Sequence, residues 1–305
     1  MKKTTAIPFF CGVFLHLFIG LSCVSAQNDT PNKLIAKGAT LIREATDYAF
    51  TEGPAVDPEG NVFFTDQPND RIIKRAVDGT ISVYMEKTGR ANGLYFDNQG
   101  NLLSCSDLEN QLWKIAPDQT VTVLVRDFEG KKLNGPNDLW VDPKGGVYFT
   151  DPFYKRSYWN RSEKEIEKEN VYYLSPDQKT LTLAATDFVR PNGIVGTPDG
   201  KKLYVADINA GKTWAFTINS DGTLTDKKLF TELGSDGMTL DNKGNVYLTG
   251  KGVSVFNPQG EKIAQIDVDE RWTANVCFGG KKQKTLFITA SKSLYTLNMK
   301  VKGVR

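Results

Sequence analysis

The chain has 305 residues, 40% of them hydrophobic and 24% charged, with 38 basic against 36 acidic side chains. That near-neutral balance, without a basic block, excludes recognition of nucleic acid through its phosphates. A single histidine and four cysteines narrow the available chemistry further.

The N-terminus reads as a secretory signal peptide over residues 1–26. Lys2 and Lys3 form a basic start, Phe9 to Leu21 is an apolar run too short for a bilayer span, and Val24-Ser25-Ala26 is a small-residue cleavage site. Cleavage after Ala26 starts the mature chain at Gln27 and predicts an exported protein, periplasmic or secreted. Gly20-Leu21-Ser22-Cys23 offers the weaker alternative of lipoprotein anchoring through Cys23, since Gly20 and Leu21 fit a lipid-attachment box poorly. No other stretch is long and apolar enough to cross a membrane. The leader holds the only histidine, His16, so the mature chain has none, and losing Lys2 and Lys3 leaves its acidic and basic side chains equal in number. Cys105 and Cys277 remain, as a disulfide or as two core thiols.

Residues 27–305 read as one domain built from a repeat. Its signature is a strand-like phrase: Asn61-Val-Phe-Phe-Thr-Asp66, Asn101-Leu-Leu-Ser-Cys-Ser-Asp107, Gly146-Val-Tyr-Phe-Thr-Asp151, Lys202-Leu-Tyr-Val-Ala-Asp207, Asn245-Val-Tyr-Leu-Thr-Gly250 and Lys284-Thr-Leu-Phe-Ile-Thr-Ala290. Each phrase follows a turn rich in Asp, Pro, Asn and Gly, such as Asp57-Pro-Glu-Gly60. Runs such as Arg71–Val77 and Thr80–Met85 then read as third and fourth strands. Six units of four strands predict an all-β, six-bladed β-propeller. The sixth unit lacks a fourth strand, while Ala39–Arg43 is an orphan strand ahead of the first. Pairing the two closes the ring and removes an exposed edge. A ring closed in this way needs no partner, so a monomer or weak oligomer is expected.

Five residues before the turn that follows each first strand stands an oxygen-bearing side chain: Glu52, Asn92, Asn137, Asn192 and Asp236, with Asn275 in the sixth unit by a looser register. First strands line a propeller's channel, so equivalent positions converge near one mouth. Asn-Gly and Asp-Gly pairs are also ordinary turn formers, but Glu52 is not a turn residue and Asn137 precedes Asp138 rather than Gly. Bare carboxylates and amides are expensive to bury unpaired, and a hard cation removes that expense by taking six to eight oxygens. Glu52 and Asp236 balance a divalent charge. Ca²⁺ suits such a ring better than Mg²⁺, zinc lacks its usual Cys and His ligands, and Mg²⁺, Mn²⁺ or Zn²⁺ substitution stays open.

Other groups are expected at the same mouth. Asp138 either steadies Asn137 or binds substrate, and Arg90 either meets a substrate carboxylate or hydroxyl or faces solvent. Asp66, Asp107, Asp151 and Asp207 end second strands and read first as turn caps. An insertion in the third blade, residues 153–170, carries Phe153, Tyr154, Tyr158 and Trp159 and then a charged run that reads as solvated surface with a short helix. Tyr154 or Tyr158 is placed for stacking on a sugar ring. Trp113, Trp140, Trp214 and Trp272 read as core and inter-blade packing.

Thr51-Glu52-Gly53-Pro54, Gly89-Arg-Ala-Asn-Gly-Leu94, Asn134-Gly-Pro-Asn-Asp-Leu139, Pro191-Asn-Gly-Ile194, Ser235-Asp-Gly-Met238 and Phe287-Ile-Thr-Ala290 together resemble the senescence marker protein / gluconolactonase / luciferin-regenerating enzyme family. The resemblance spans essentially the whole of residues 27–305. It implies a six-bladed propeller with one catalytic divalent metal held by Glu52, Asn137, Asn192 and Asp236. Asn92 and Asn275 would then lie behind the ligands or against the substrate. Diisopropyl fluorophosphatase is similar in ligand set, whereas paraoxonase-like lactonases lean on histidines this mature chain lacks.

Without histidine the usual base near neutral pH and a Cys-His nucleophile are both missing. What remains is a metal that polarises a carbonyl, helped by a carboxylate. Asp236 is the expected general base, as the resemblance also implies, with direct nucleophilic attack as the alternative; Glu52 mainly balances charge. The expected activity is opening of a sugar lactone, a small-molecule substrate. The competing readings are a phosphotriesterase or esterase of the same fold and a non-catalytic calcium-containing binding propeller.

Overall fold

The computed structural model describes residues 1–2 and 33–304. The expected leader and Cys23 lie outside the described residues apart from its first two positions. Six four-stranded antiparallel sheets follow one another in chain order. Blade 1 is Thr51–Val56, Val62–Asp66, Arg71–Arg75 and Ile81–Glu86; blade 2 is Ala91–Phe96, Leu102–Ser106, Gln111–Ile115 and Val121–Val125. Blade 3 is Leu139–Val141, Val147–Asp151, Glu169–Leu174 and Leu181–Phe188; blade 4 is Pro191–Gly196, Lys202–Asp207, Lys212–Ile218 and Leu224–Thr231. Blade 5 is Met238–Leu240, Val246–Gly250, Gly252–Phe256 and Lys262–Ile266. Blade 6 takes Thr273–Gly279, Thr285–Ala290 and Ser293–Asn298 from the end of the chain and Ile42–Ala45 from its beginning.

This is the six-bladed propeller read from the repeat. All six recurring phrases form second strands, and those of blades 1, 2 and 3 are buried at every position. Neighbouring blades cover both their faces, so these strands are apolar runs rather than alternating ones. Fourth strands such as Lys262–Ile266 lie at the rim, largely exposed. The turns between first and second strands are clamped by one repeated device. Asp57 accepts from Asn61 N at 2.8 Å and from Asn61 Nδ2 at 2.7 Å, and Asp97 with Asn101 and Asp241 with Asn245 repeat the pair. Closure follows expectation with a small shift in position: Ile42 pairs Thr296 and Arg43 pairs Tyr295, antiparallel. That pairing supplies the missing fourth strand, so Ser293–Asn298 is covered on both sides and is no longer an edge.

Two expectations change. The charged part of the 153–170 insertion holds no helix, and the 3₁₀ turn Gln67–Asn69 is the one helical element among the described residues. The run lacks an apolar face to bury, and its charges serve other contacts: Lys164 pairs with Glu169 at 2.6 Å, and Arg161 donates to the carbonyls of Leu133 and Asn134. Trp140 is buried as expected, but Trp272 is 36% exposed. Cys105 and Cys277 are buried free thiols. No helix among the described residues is long and apolar enough to cross a membrane.

Candidate active site

The first strands break at the positions singled out by counting. The register against the second strand slips between Glu52 and Ala55, Ala91 and Leu94, Pro191 and Ile194, and Thr273 and Asn275. In blades 3 and 5 the regular strand begins only at Leu139 and Met238, just past Asn137 and Asp236. Such bulges release residues from the ladder and redirect their side chains.

Adjacent blades meet at these breaks. Gly93 N donates to Asn137 O at 2.8 Å, and Gly237 N to Ala274 O at 2.8 Å. The threonine of the recurring phrase adds a second tie. Thr65 Oγ1 donates to Asn92 O at 3.2 Å, Thr150 Oγ1 to Asn192 O at 2.8 Å, and Thr249 Oγ1 to Ala274 O at 2.8 Å. The glycines are present because the blades approach too closely for a side chain. A Cβ on Gly53 would sit 2.1 Å from Asn92 O, and one on Gly237 would sit 1.9 Å from Asn275 Cγ. Gly93 and Gly193 lie inside strands, so their Asn-Gly pairs are packing contacts rather than turns.

Glu52, Asn92, Asn137, Asp138, Asn192 and Asn275 are all buried, while Asp236 is partly open. Asn192 Nδ2 donates to Asp236 Oδ1 and to the Tyr154 hydroxyl, each at 2.8 Å, and Trp272 Nε1 donates to Asp236 Oδ2 at 2.6 Å. Burial, and next the charge of Asp236, push the Glu52 carboxyl well above the usual carboxylate range. Burial raises Asp236 to about 6 against the opposing hydrogen bonds from Trp272 and Asn192. Asp138 is raised to about 7, again chiefly by burial, while hydrogen bonds from Leu139 N and Asn275 pull it down. Asn275 also supports Glu52, so it stands between two acids. Asn92 and Asn137 are fixed through their backbones, with Asn137 N donating to Thr150 O at 2.9 Å.

Among the described residues no three His, Cys, Asp or Glu side chains cluster as a metal site by themselves, so a cation here would need amide as well as carboxylate oxygens. The residues present fit that demand. Glu52, Asp138 and Asp236 influence one another's charge, yet none of them enters an ion pair with Lys or Arg among the described residues. Buried carboxylates without a cationic partner are what a hard divalent ion compensates. Asn192 spends its NH₂ on Asp236 and Tyr154, which leaves its carbonyl oxygen as the acceptor for such an ion.

The 153–170 insertion is a strap latched onto Asp107. That carboxylate accepts from Arg156 Nε at 2.9 Å, from Gln67 Nε2 at 3.1 Å and from the Tyr158 hydroxyl, and Trp159 Nε1 donates to Asp107 O at 2.7 Å. Arg90 stacks on Tyr158, 4.2 Å from its ring centre, while Arg190 and Arg156 flank Tyr154 at 4.8 and 5.3 Å. Of the two tyrosines only Tyr154 reaches the ring of oxygens. Asp66, Asp151 and Asp207 cap backbone N–H groups, as their positions suggested. Asp107 instead anchors the strap. The roles of Asp107 and Trp272 escaped sequence reading; the aspartate had a positional signal and the tryptophan none.

The central channel itself is a cavity of about 450 Å³. Asp138 and Asn275 line it together with mostly apolar residues from all six first strands, and Val304 joins them. The ring of oxygens and the tyrosine strap thus stand at one mouth, with an apolar channel beyond.

A sequence model described as the SMP-30/Gluconolactonase/LRE-like region matches residues 50–292. A gluconolactonase of Zymomonas mobilis is 30% identical over 289 residues, covering 85% of this chain and 81% of the relative. The diisopropyl-fluorophosphatase of Loligo vulgaris is 24% identical, covering 80% and 86%. The solved structure of a Xanthomonas campestris gluconolactonase superposes with a TM-score of 0.81 at 30% identity, covering 88% of this chain and 91% of the other. The chain belongs to the SMP-30/gluconolactonase/LRE-like family.

Proposed function

We propose that this protein is an exported, metal-dependent hydrolase that opens a sugar lactone. The observation that carries the reading is Asp236, a partly open carboxylate whose two oxygens are held by Asn192 and Trp272 beside the buried Glu52. The gluconolactonase relatives supply the substrate class. Glu52, Asn137, Asn192 and Asp236 would hold the divalent cation, with Ca²⁺ favoured by the all-oxygen donor set. When bound, the cation would polarise the lactone carbonyl and stabilise the negative charge that attack creates.

Asp236 acts as the general base. Each of its oxygens accepts one hydrogen bond and keeps a further lone pair, so the carboxylate is oriented without being saturated. It takes the proton from the attacking water as the water oxygen bonds to the carbonyl carbon. When the ring C–O bond breaks, the same proton passes to the departing alkoxide, giving the hydroxy acid. Glu52 balances charge, and Tyr154, Arg90, Asn92, Asp138 and Asn275 shape the substrate's surroundings. The leader read in residues 1–26 supports action outside the cytoplasm on a small molecule.

The test is hydrolysis of glucono-δ-lactone, followed as acid release after chelation and after adding back Ca²⁺, Mg²⁺, Mn²⁺ or Zn²⁺. Loss on chelation and recovery with one of these ions is expected. Undiminished hydrolysis in chelator overturns the metal requirement. Failure on every lactone, with cleavage of a fluorophosphate instead, favours the phosphotriesterase reading that the Loligo relative supports.

A further inference from the structure

Trp272 belongs to two places at once. Its indole N–H holds Asp236 Oδ2 at 2.6 Å, and its ring lines a second cavity of about 620 Å³ over the top of blade 5. Ile208, Leu233 and Leu248 supply the apolar part of that wall, with Leu233 37% exposed. Of the polar side chains in the lining, Ser254 Oγ donates to Gln265 Oε1 at 2.8 Å and Gln265 Nε2 to Lys251 O at 3.0 Å, while the exposed Lys251, Lys262 and Asp267 add charge on the solvent side. The aliphatic and aromatic part of the wall begins at Trp272, the residue that holds the base.

We propose that the site also takes lactones bearing an alkyl substituent, which leaves the mouth across Trp272 and lies in the cavity above blade 5. This rests on the lactonase reading and extends it to a second substrate class. The lactone ring sits at Asp236, and the chain on the carbon next to the ring oxygen follows the indole outward. Apolar surface exposed at Trp272 and Leu233 is then covered by substrate, and catalysis gains from each methylene placed there.

The experiment compares δ-valerolactone, δ-hexalactone, δ-octalactone and δ-decalactone with the cation-loaded full chain. Burial of a methylene is worth up to about fourfold, so kcat/KM is expected to rise about two- to fourfold per added carbon until the cavity is filled. Leu233→Arg, at an exposed position where misfolding is not expected, should flatten that series and lower the ratio of δ-decalactone to δ-valerolactone by at least about tenfold. Binding of the matching 5-hydroxyalkanoates by calorimetry reads the pocket without turnover. Affinity rising with chain length in wild type but not in Leu233→Arg supports the pocket even if no lactone is opened, an outcome that would sink the hydrolase reading alone. A flat series in both turnover and binding overturns the proposal while leaving hydrolysis of glucono-δ-lactone unaffected.

Discussion

Asp138 provides a direct test of how the ring stores charge. The residue is 7% exposed and its carboxyl is raised to about 7, mainly by burial, against about 3.9 in an unfolded chain. Between those values the native state binds more protons than the unfolded one, so stability falls as pH rises. From pH 5 to 8 the loss runs from 5 up to about 7, two units, or about 2.7 kcal/mol. For a chain of this size that is a fall in Tm of about 5 °C. In Asp138→Asn the group no longer titrates, so that share of the pH dependence disappears. The assay is thermal unfolding of wild type and variant in chelator at pH 5 and pH 8. The variant should gain on wild type by about 5 °C between the two conditions, whatever their difference at pH 5. Parallel pH profiles would refute the argument, because they would mean that Asp138 is already ionised at pH 5.

Glu52→Gln removes one of two carboxylates proposed for the cation, so the Ca²⁺ concentration giving half of the thermal stabilisation should rise at least about tenfold; an unchanged midpoint would exclude Glu52 as a ligand. Asp236→Asn should lower kcat on the lactone by about 10²–10⁴ while the protein still unfolds cooperatively, and full activity would remove Asp236 from the chemistry. In Gly237→Ala the new Cβ meets Asn275 Cγ at 1.9 Å, an overpacking worth about 1–3 kcal/mol; urea unfolding within about 0.3 kcal/mol of wild type would show that the blades are not in contact there. Tyr154→Phe deletes the hydroxyl that accepts from Asn192 at 2.8 Å, so kcat/KM should fall about fivefold, equivalent to about 1 kcal/mol, and unaltered kinetics would place Tyr154 outside the site.

What the sequence exposes here follows from repetition. Each blade solves the same packing problem, so the buried second strand, the Asp57–Asn61 type of turn and the ring position recur at fixed offsets. Counting could therefore find Glu52, Asn192 and Asp236 without knowing any contact between them. Even the inter-blade tie was written there, since the threonine in Phe64-Thr65-Asp66 and its equivalents holds the next blade's backbone. The competing view of the Asn-Gly pairs as plain turn formers fails at Asn92 and Asn192, whose glycines make room for the neighbouring blade instead of turning the chain.

The parts that break the repeat were opaque for the converse reason. Asp107 occupies the same end-of-strand position as Asp66, Asp151 and Asp207, and nothing local distinguishes it. Its partners Arg156 and Tyr158 arrive from about 50 residues away, in an insertion that occurs once. Trp272 lies in a connector between blades 5 and 6, and its tie to Asp236 spans 36 residues. A tryptophan in a β-rich chain is ordinarily core, so only the fold could show it standing exposed at the mouth with its indole N–H on a carboxylate. The repeat thus sets up the oxygen ring, which any member of the architecture could share. The single-copy additions, a strap latched to Asp107 and an indole wall beside Asp236, bear most directly on discrimination between substrates, because each occurs once and sets its side of the mouth apart from the others.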